Sequence, residues 1–277
     1  VAAVVPTAGT QAVCSAQPVY SPGEPPPGSP PELLQGIEAS QLLPSDASCD
    51  PSQPASPRDL LQLQVLDLAN ILQHVRERYW RQEIYSLVGP ITVAVNPWRP
   101  LEHYSAQHMA QYMALRGDLK ALATKPVHLW TTAHKAYYEM LRGRPQSILV
   151  SGESGSGKTE SCKVVVAYLA ALSTSFQSPE VKGAAEQIAA KILLASPILE
   201  AFGNAVTVRN DNSSRFGKFV KLRFDRKHNF LTAAETQVYL LEKTRVVCHN
   251  SGERSYHIFY QLLAGASAKQ RTRYRLR

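Results

Sequence analysis

Regular elements are predicted from about Arg58 onward. Short apolar or alternating runs predict strands near Ile91–Val95, Gln146–Val150, Lys218–Phe224, Phe230–Ala234 and Gln237–Leu241. In the third of these, Val220, Leu222 and Phe224 alternate with Lys221, Arg223 and Asp225, giving one apolar and one charged face. The run Gln146–Val150 reads instead as a buried strand. Longer segments predict helices near Leu60–Tyr79, Ser105–Met113, Val127–Arg142, Lys158–Leu172, Ala184–Leu194 and Ser255–Ala264. Helix-packed and antiparallel strands together predict an α/β domain built on a mixed central sheet flanked by helices.

Composition separates residues 1–57 from the rest. Twelve of the 19 prolines precede Arg58, and the stretch is otherwise rich in Ser, Ala and Gln. It offers too little apolar surface to offset its ordering entropy, so a disordered Pro/Ser-rich leader is expected. Residues 58–277 are enough for one large α/β domain with its own core. The formal net charge is +8, but it is spread along the chain and accompanies no nucleic-acid reader motif, so no nucleic-acid partner is expected. No run approaches the length of a membrane span, and no signal peptide is expected. Cys14, Cys49, Cys162 and Cys248 have no metal-ligand spacing, and a reducing, cytoplasmic compartment is the expectation. His128, His134 and His257 sit among aromatic residues and are assigned no chemistry.

Against this background one stretch names a ligand class. Gly152-Glu153-Ser154-Gly155-Ser156-Gly157-Lys158-Thr159 fits G-x-x-x-x-G-K-[ST] in full. Its glycines let the backbone curl and turn successive N–H groups toward one point. Lys158 can reach the outer phosphates of a nucleoside triphosphate, and the Thr159 hydroxyl can hold Mg²⁺. A strand before it and a helix after it are the setting this turn requires, and the helix N-terminus adds partial positive charge. A second stretch, Asn210-Asp211-Asn212-Ser213-Ser214-Arg215-Phe216-Gly217-Lys218, reads as a polar loop. Beside a phosphate loop it offers an amide in Asn210, hydroxyls in Ser213 and Ser214, and a charge in Arg215, as the γ-phosphate side of a bound triphosphate needs.

Taken in order, these residues resemble the myosin motor domain. Val95-Asn96-Pro97-Trp98-Arg99-Pro100-Leu101, with Tyr104, is similar to that family's adenine-side loop. Gly152–Glu160 resembles its phosphate loop, and Ser196–Ala205 with Thr207–Lys218 resembles its switch I region. Tyr239–Lys243 and Glu253–Gln261 continue the likeness, which runs from about Asp59 to Ala266. The resemblance implies a P-loop NTPase-type fold that binds ATP and Mg²⁺. Asn96, Pro97, Trp98, Arg99 and Tyr104 would line the adenine side. Gly152, Glu153, Ser154, Gly155, Ser156, Gly157, Lys158, Thr159 and Glu160 would surround the phosphates. Thr159 and Ser214 would ligate Mg²⁺, and Asn210 and Ser213 would approach the γ-phosphate and the attacking water. Arg215 would pair with a glutamate of a later loop, switch II.

Departures from the family pattern are mild. Ser156 stands where Ala is common and Trp98 where Tyr or Phe is commoner, while the linker at Asp67-Leu68-Ala69 differs far from the chemistry. The later loop, of pattern D-x-x-G-F-E, is absent from these 277 residues, as are counterparts of the relay helix, converter, lever and most of the actin-contacting surface. The expectation is therefore an incomplete motor domain. In a complete protein it would serve an actin-activated ATPase of the cytoskeleton, partnered by actin filaments and calmodulin-type light chains. Alone it would bind nucleotide weakly, hydrolyse negligibly, and leave sheet edges and apolar faces uncovered. Two other readings stay open: a different P-loop ATPase or kinase, and a nucleotide-binding or interaction module without motor activity.

Overall fold

The computed structural model describes residues 10–16, 57–101, 104–175 and 177–276. It divides into two compact units, 1–168 and 169–277.

The first unit holds strands β1 (Thr10–Ala16), β2 (Tyr85–Val88), β3 (Ile91–Val95) and β4 (Ser147–Ser151), and helices α1 (Leu68–Trp80), α2 (Ala106–Met113), α3 (Leu119–Thr124) and α4 (Leu129–Leu141). Helix α5 (Lys158–Thr174) begins in this unit. The sheet order is β2-β3-β1-β4, with β1 parallel to both β3 and β4 and the β2–β3 hairpin antiparallel. Strand β1 falls inside the stretch expected to be a disordered leader; the rest of that stretch lies outside the described residues. The segment between Pro6 and Pro18 contains no proline, so every residue of β1 can donate to a ladder, a local feature that composition averaged over 57 residues conceals. Where one helix was expected over Leu60–Tyr79, two acidic caps divide it. Asp59 accepts from Leu61 N–H and starts a 3₁₀ turn at Leu60–Gln62, and Asp67 accepts from Asn70 N–H and starts α1.

The core of this unit lies between α4, which packs on β1 and β4, and the start of α5. Leu122, Leu129, Trp130, Ala133 and Tyr168 are buried there. Tyr168 O–H bonds His134 Nδ1 at 2.8 Å, and Trp130 stacks on Tyr168 with ring centroids 5.8 Å apart. His134 and His128 are thus core residues. His128 caps α4 by accepting from Trp130 N–H at 3.1 Å. Strand β4, expected to be buried, is an edge strand with Leu149 52% exposed; an apolar run is fully covered only when both faces and both edges have neighbours.

The second unit contains α6 (Pro179–Leu194), α7 (Ser196–Gly203), β5 (Asn204–Thr207), β6 (Asn210–Ser214), β7 (Gly217–Phe224), β8 (Leu231–Tyr239), α8 (His257–Gly265) and α9 (Ala268–Tyr274). Two antiparallel pairs form, β5–β6 and β7–β8. The single strand β8 replaces the two expected near Phe230–Ala234 and Gln237–Leu241, because Leu231–Tyr239 carries neither Pro nor Gly and pairs along the length of β7. The alternation along β7 holds: Val220, Leu222 and Phe224 are half-buried, and Lys221 and Arg223 are exposed. The single central sheet expected from the sequence is replaced, among the described residues, by one four-stranded sheet and these two ribbons. Strands β5 to β8 pair as strands only with their hairpin partners among the described residues, and β5 bonds on its other edge to the Arg254–Tyr256 segment, where Arg254 N–H donates to Val206 O at 3.0 Å. Ala205, Leu231 and Tyr256 are buried, while Leu240 and Val247 are 84% and 87% exposed.

Candidate functional site

The glycine loop is built as its sequence predicts. Strand β4 ends at Ser151, residues 152–157 turn, and α5 starts at Lys158. Gly155 and Gly157 have φ of 79° and 89°, a region that costs a residue with a Cβ about 1 kcal/mol or more. Lys158 Nζ donates to the carbonyls of Gly152 (2.6 Å) and Glu153 (2.7 Å). Burial lowers the Lys158 pKa below its ordinary value, while Cys162 and Glu153 draw it back upward. Ser156 is buried and its Oγ donates to Glu153 O at 2.7 Å, closing the turn from inside. Thr159 follows at half-exposure, and Glu160 turns outward to pair with Lys163 at 2.6 Å.

The stretch after β3 reaches this loop through one side chain. Asn96 Nδ2 donates to Gly155 O at 2.7 Å, and its Oδ1 accepts from Trp98 N–H at 3.1 Å. The same amide therefore ties two predicted stretches, 59 positions apart, and shapes the turn that follows it. Pro97 is half-buried, and Trp98 takes φ of 53° and is 63% exposed. A bulky residue in the left-handed region is strained, and an exposed indole is available to a flat ligand face. Arg99 Nη2 donates to Gln82 Oε1 at 2.6 Å. Tyr104 is half-buried in an aromatic cluster. Its hydroxyl pairs with that of Tyr85, and its ring meets those of His128 and Trp130 edge-on.

Asn210–Ser214, expected as a loop, is strand β6. Its register with β5 places Ser213 opposite Ala205 and Ser214 opposite Asn204. Polar side chains reinforce the pair: Asn204 Nδ2 donates to Asn212 Oδ1 at 2.9 Å, and Thr207 Oγ1 to Asn210 O at 3.1 Å. Asn210 Oδ1 accepts from Asn212 N–H at 2.9 Å. Ser213 is buried and Ser214 exposed. Arg215 is held on all sides. Its N–H donates to Gly203 O (2.8 Å), its carbonyl accepts from Glu242 N–H (2.9 Å), its Nη1 donates to Ser213 Oγ (3.1 Å), and its Nε donates to Glu242 Oε2 (2.6 Å). In this structure the carboxylate partner of Arg215 is thus Glu242, a residue that sequence reasoning gave no role. Arg245, Glu253 and Gly203 were missed with it. The signal was present in the family-like stretch around Tyr239–Lys243, but a pairing across 27 positions leaves no periodicity to read.

The structure brings Asn96 together with Gly155 in the first unit, and Ser213 with Arg215 in the second. Among the described residues, no group of three or more His, Cys, Asp or Glu could hold a metal ion, and no helix is long and apolar enough to cross a membrane.

Strand, glycine turn and helix in direct succession, with a lysine as the first helical residue, form the phosphate-loop arrangement. Comparison with known proteins narrows this class: residues 57–277 match the myosin head (motor domain), and the chain belongs to that family. It is 44% identical over 220 residues to an unconventional myosin-Ia of Gallus gallus, covering 79% of this chain and 20% of the relative. It is 41% identical over 248 residues to an unconventional myosin-XV of Homo sapiens, covering 89% and 7%. It is 42% identical over 219 residues to a myosin-I heavy chain of Dictyostelium discoideum, covering 79% and 9%. The chain thus spans a fifth or less of the length of these relatives.

Proposed function

We propose that this chain is the nucleotide-binding portion of an actin-based motor, which in the complete protein couples ATP hydrolysis to movement along actin filaments. The observation that carries this reading is the Asn96–Gly155 hydrogen bond. It sets a turn with an exposed indole against a glycine loop whose lysine begins a helix, which is the arrangement a base-plus-phosphate ligand needs.

The donor set fits a magnesium-bound triphosphate. Gly155 and Gly157 carry no side chain to block the concave side of the loop, the first N–H groups of α5 have no helical partners, and Lys158 and Thr159 add an ammonium and a hydroxyl. Mg·ATP, when bound, would supply the phosphoanhydride bond to be cleaved and the concentrated negative charge. Lys158 would exchange loop carbonyls for phosphoryl oxygens. Residues from Gly152 to Glu160 would cradle the phosphates through their backbone, Glu160 contributing by its place in the first turn of α5. Thr159 and Ser214 would ligate the metal. Asn210 and Ser213 would orient the attacking water and the terminal phosphate, with Arg215 ordering them. Asn96, Pro97, Trp98 and Arg99 would line the base, and Tyr104 would support that wall through its ring. Positioning and charge of this kind account for nearly all of phosphoryl-transfer catalysis. In the complete protein, actin filaments and calmodulin-type light chains are the partners this reading implies, in the cytoplasm and on the cytoskeleton.

The test is Lys158→Ala in the complete protein. Actin-activated ATPase should fall by ~100-fold or more, with thermal unfolding close to wild type. Near-normal turnover from a folded variant would overturn the assignment of the loop.

A further inference from the structure

Four charged side chains meet behind Ser213. Arg245, with its side chain 4% exposed, lies between Glu242 and Glu253. Its Nε and Nη2 donate to the two Glu242 oxygens at 3.0 and 3.3 Å, its Nη2 also to Glu253 Oε2 at 3.0 Å, and its Nη1 to Arg254 O at 3.1 Å. Arg215, 29% exposed, is the outer member, bound to the same Glu242 oxygen as Arg245 Nε. Tyr256 O–H donates to Glu242 O at 2.6 Å, so the backbone of Glu242 is fixed as well as its carboxylate. Two cations and two anions balance, and the more buried pair, Arg245 and Glu253, forms the base of the cluster. Burial alone would raise the Glu242 pKa, but the hydrogen bonds from Arg245 and Arg215 outweigh it and hold the carboxyl below the usual range.

We propose that Glu242 is a positioning residue for the phosphate-side chemistry: anchored by Arg245, it aims the Arg215 guanidinium so that Nη1 donates to Ser213 Oγ and directs that hydroxyl. The inference rests on the nucleotide reading above and adds to it a residue to which the sequence motifs gave no role. A hydroxyl that accepts from a cation is polarised into a stronger donor toward a further oxygen. Arg215 suits this relay because its planar fork serves a carboxylate and a hydroxyl at once, whereas a lysine is a point charge. Its backbone is clamped from both sides by Gly203 and Glu242, which leaves Glu242 to choose the direction of the side chain.

The experiment compares steady-state ATPase of the complete protein for wild type, Lys158→Ala, Glu242→Gln, Glu242→Asp, Arg215→Lys and the Arg215→Lys/Glu242→Gln double variant. Glu242→Gln should lower kcat by ~10-fold with KM within about twofold and an unchanged melting temperature. Glu242→Asp, which keeps the charge for Arg245, should recover about half of that loss on a logarithmic scale. Arg215→Lys should match Glu242→Gln, and the double variant should be no worse than the poorer single, because both changes break one relay. Wild-type kcat in Glu242→Gln, multiplicative losses in the double variant, or parallel losses of KM and melting temperature would each overturn the proposal. If Glu242→Gln does not fold, Glu242→Asp combined with Arg215→Lys decides the same question by the same non-additivity. An inactive Lys158→Ala beside a fully active Glu242→Gln would sink this inference alone; an active Lys158→Ala would remove the nucleotide reading and this inference with it.

Discussion

Two glycines of the second unit should respond to the same substitution with opposite signs. A Cβ built on Gly203 would lie 2.4 Å from both Cδ1 and Cε1 of Phe216. Ordinary carbon contacts begin near ~3.5 Å, so the ring or the backbone must move by about 1 Å. The ring cannot withdraw independently. Arg215, its chain neighbour, donates its N–H to Gly203 O at 2.8 Å, and relief of the clash stretches that bond. Overpacking costs about 1–3 kcal/mol, and a weakened hydrogen bond adds up to about 1 kcal/mol. Gly203→Ala should therefore destabilise by about 2–3 kcal/mol. Gly183 lies inside α6, and its added Cβ would meet nothing within 4 Å. There alanine should stabilise by about 0.5–1 kcal/mol, the helix penalty of glycine removed. The assay is urea unfolding of the complete motor, with protease cleavage rates mapped across residues 169–277. Gly203→Ala within about 0.5 kcal/mol of wild type, with unchanged cleavage, would refute the close seating of Phe216 on that glycine and the account of how Arg215 is fixed.

Further outcomes follow from buried groups. His74 in α1 is fully buried, and desolvation, aided by the Arg78 guanidinium and opposed by a backbone contact from Pro57, lowers its pKa from 6.5 to about 4. The depressed folded value means that its contribution is intact above pH 6.5 and is lost as pH falls toward 4, by up to about 3 kcal/mol from a 2.5-unit difference. Urea midpoints measured between pH 7 and 4.5 should fall more steeply in wild type than in His74→Gln; equal slopes would contradict the assignment. His134, its pKa also lowered by burial, adds in the same direction. Tyr168→Phe keeps the stack on Trp130 but removes the hydroxyl from His134 Nδ1. It should cost about 1–3 kcal/mol in a thermal melt, and an unchanged melting temperature would show that the bond carries no stability.

Legibility from sequence tracked the range of the interaction responsible. The glycine loop and α5 were readable because adjacent residues impose them: glycines at positive φ, then a helix. Strand β6 was unreadable because Asn, Asp and Ser are poor strand formers, and what makes it a strand is its partner Asn204–Thr207 together with the Asn204–Asn212 side-chain bond. The break in the first helix was readable in principle at Asp67, an N-cap placed before Leu68, but apolar spacing alone ran through it. Asn96 was assigned to the adenine side from its motif, yet the contact that makes it informative, with Gly155, joins distant residues. Glu242 shows the limit most clearly. A carboxylate gains a role only from what faces it: Arg245 faces it from three positions along a 3₁₀ turn, but Arg215 reaches it across 27 positions that no local pattern specifies.

The carbonyls of Gly152 and Glu153 are taken by the Lys158 ammonium, and that of Gly155 by Asn96. In a planar trans peptide, the N–H of the following residue points opposite its carbonyl. Holding carbonyls on one side therefore turns the N–H groups of Glu153 and Ser154 toward the other, where an anion would be received. Lys158 then has two jobs, shaping the loop through its carbonyls and supplying charge to a phosphate. Lys158→Ala removes both, whereas Lys158→Gln keeps a donor that can reach a carbonyl while losing the charge. If the loop-shaping role is real, Lys158→Gln should retain the wild-type protease resistance of residues 152–158 while losing nucleotide affinity, and Lys158→Ala should lose both. Equal protease sensitivity in the two variants would leave the ammonium as a charge alone.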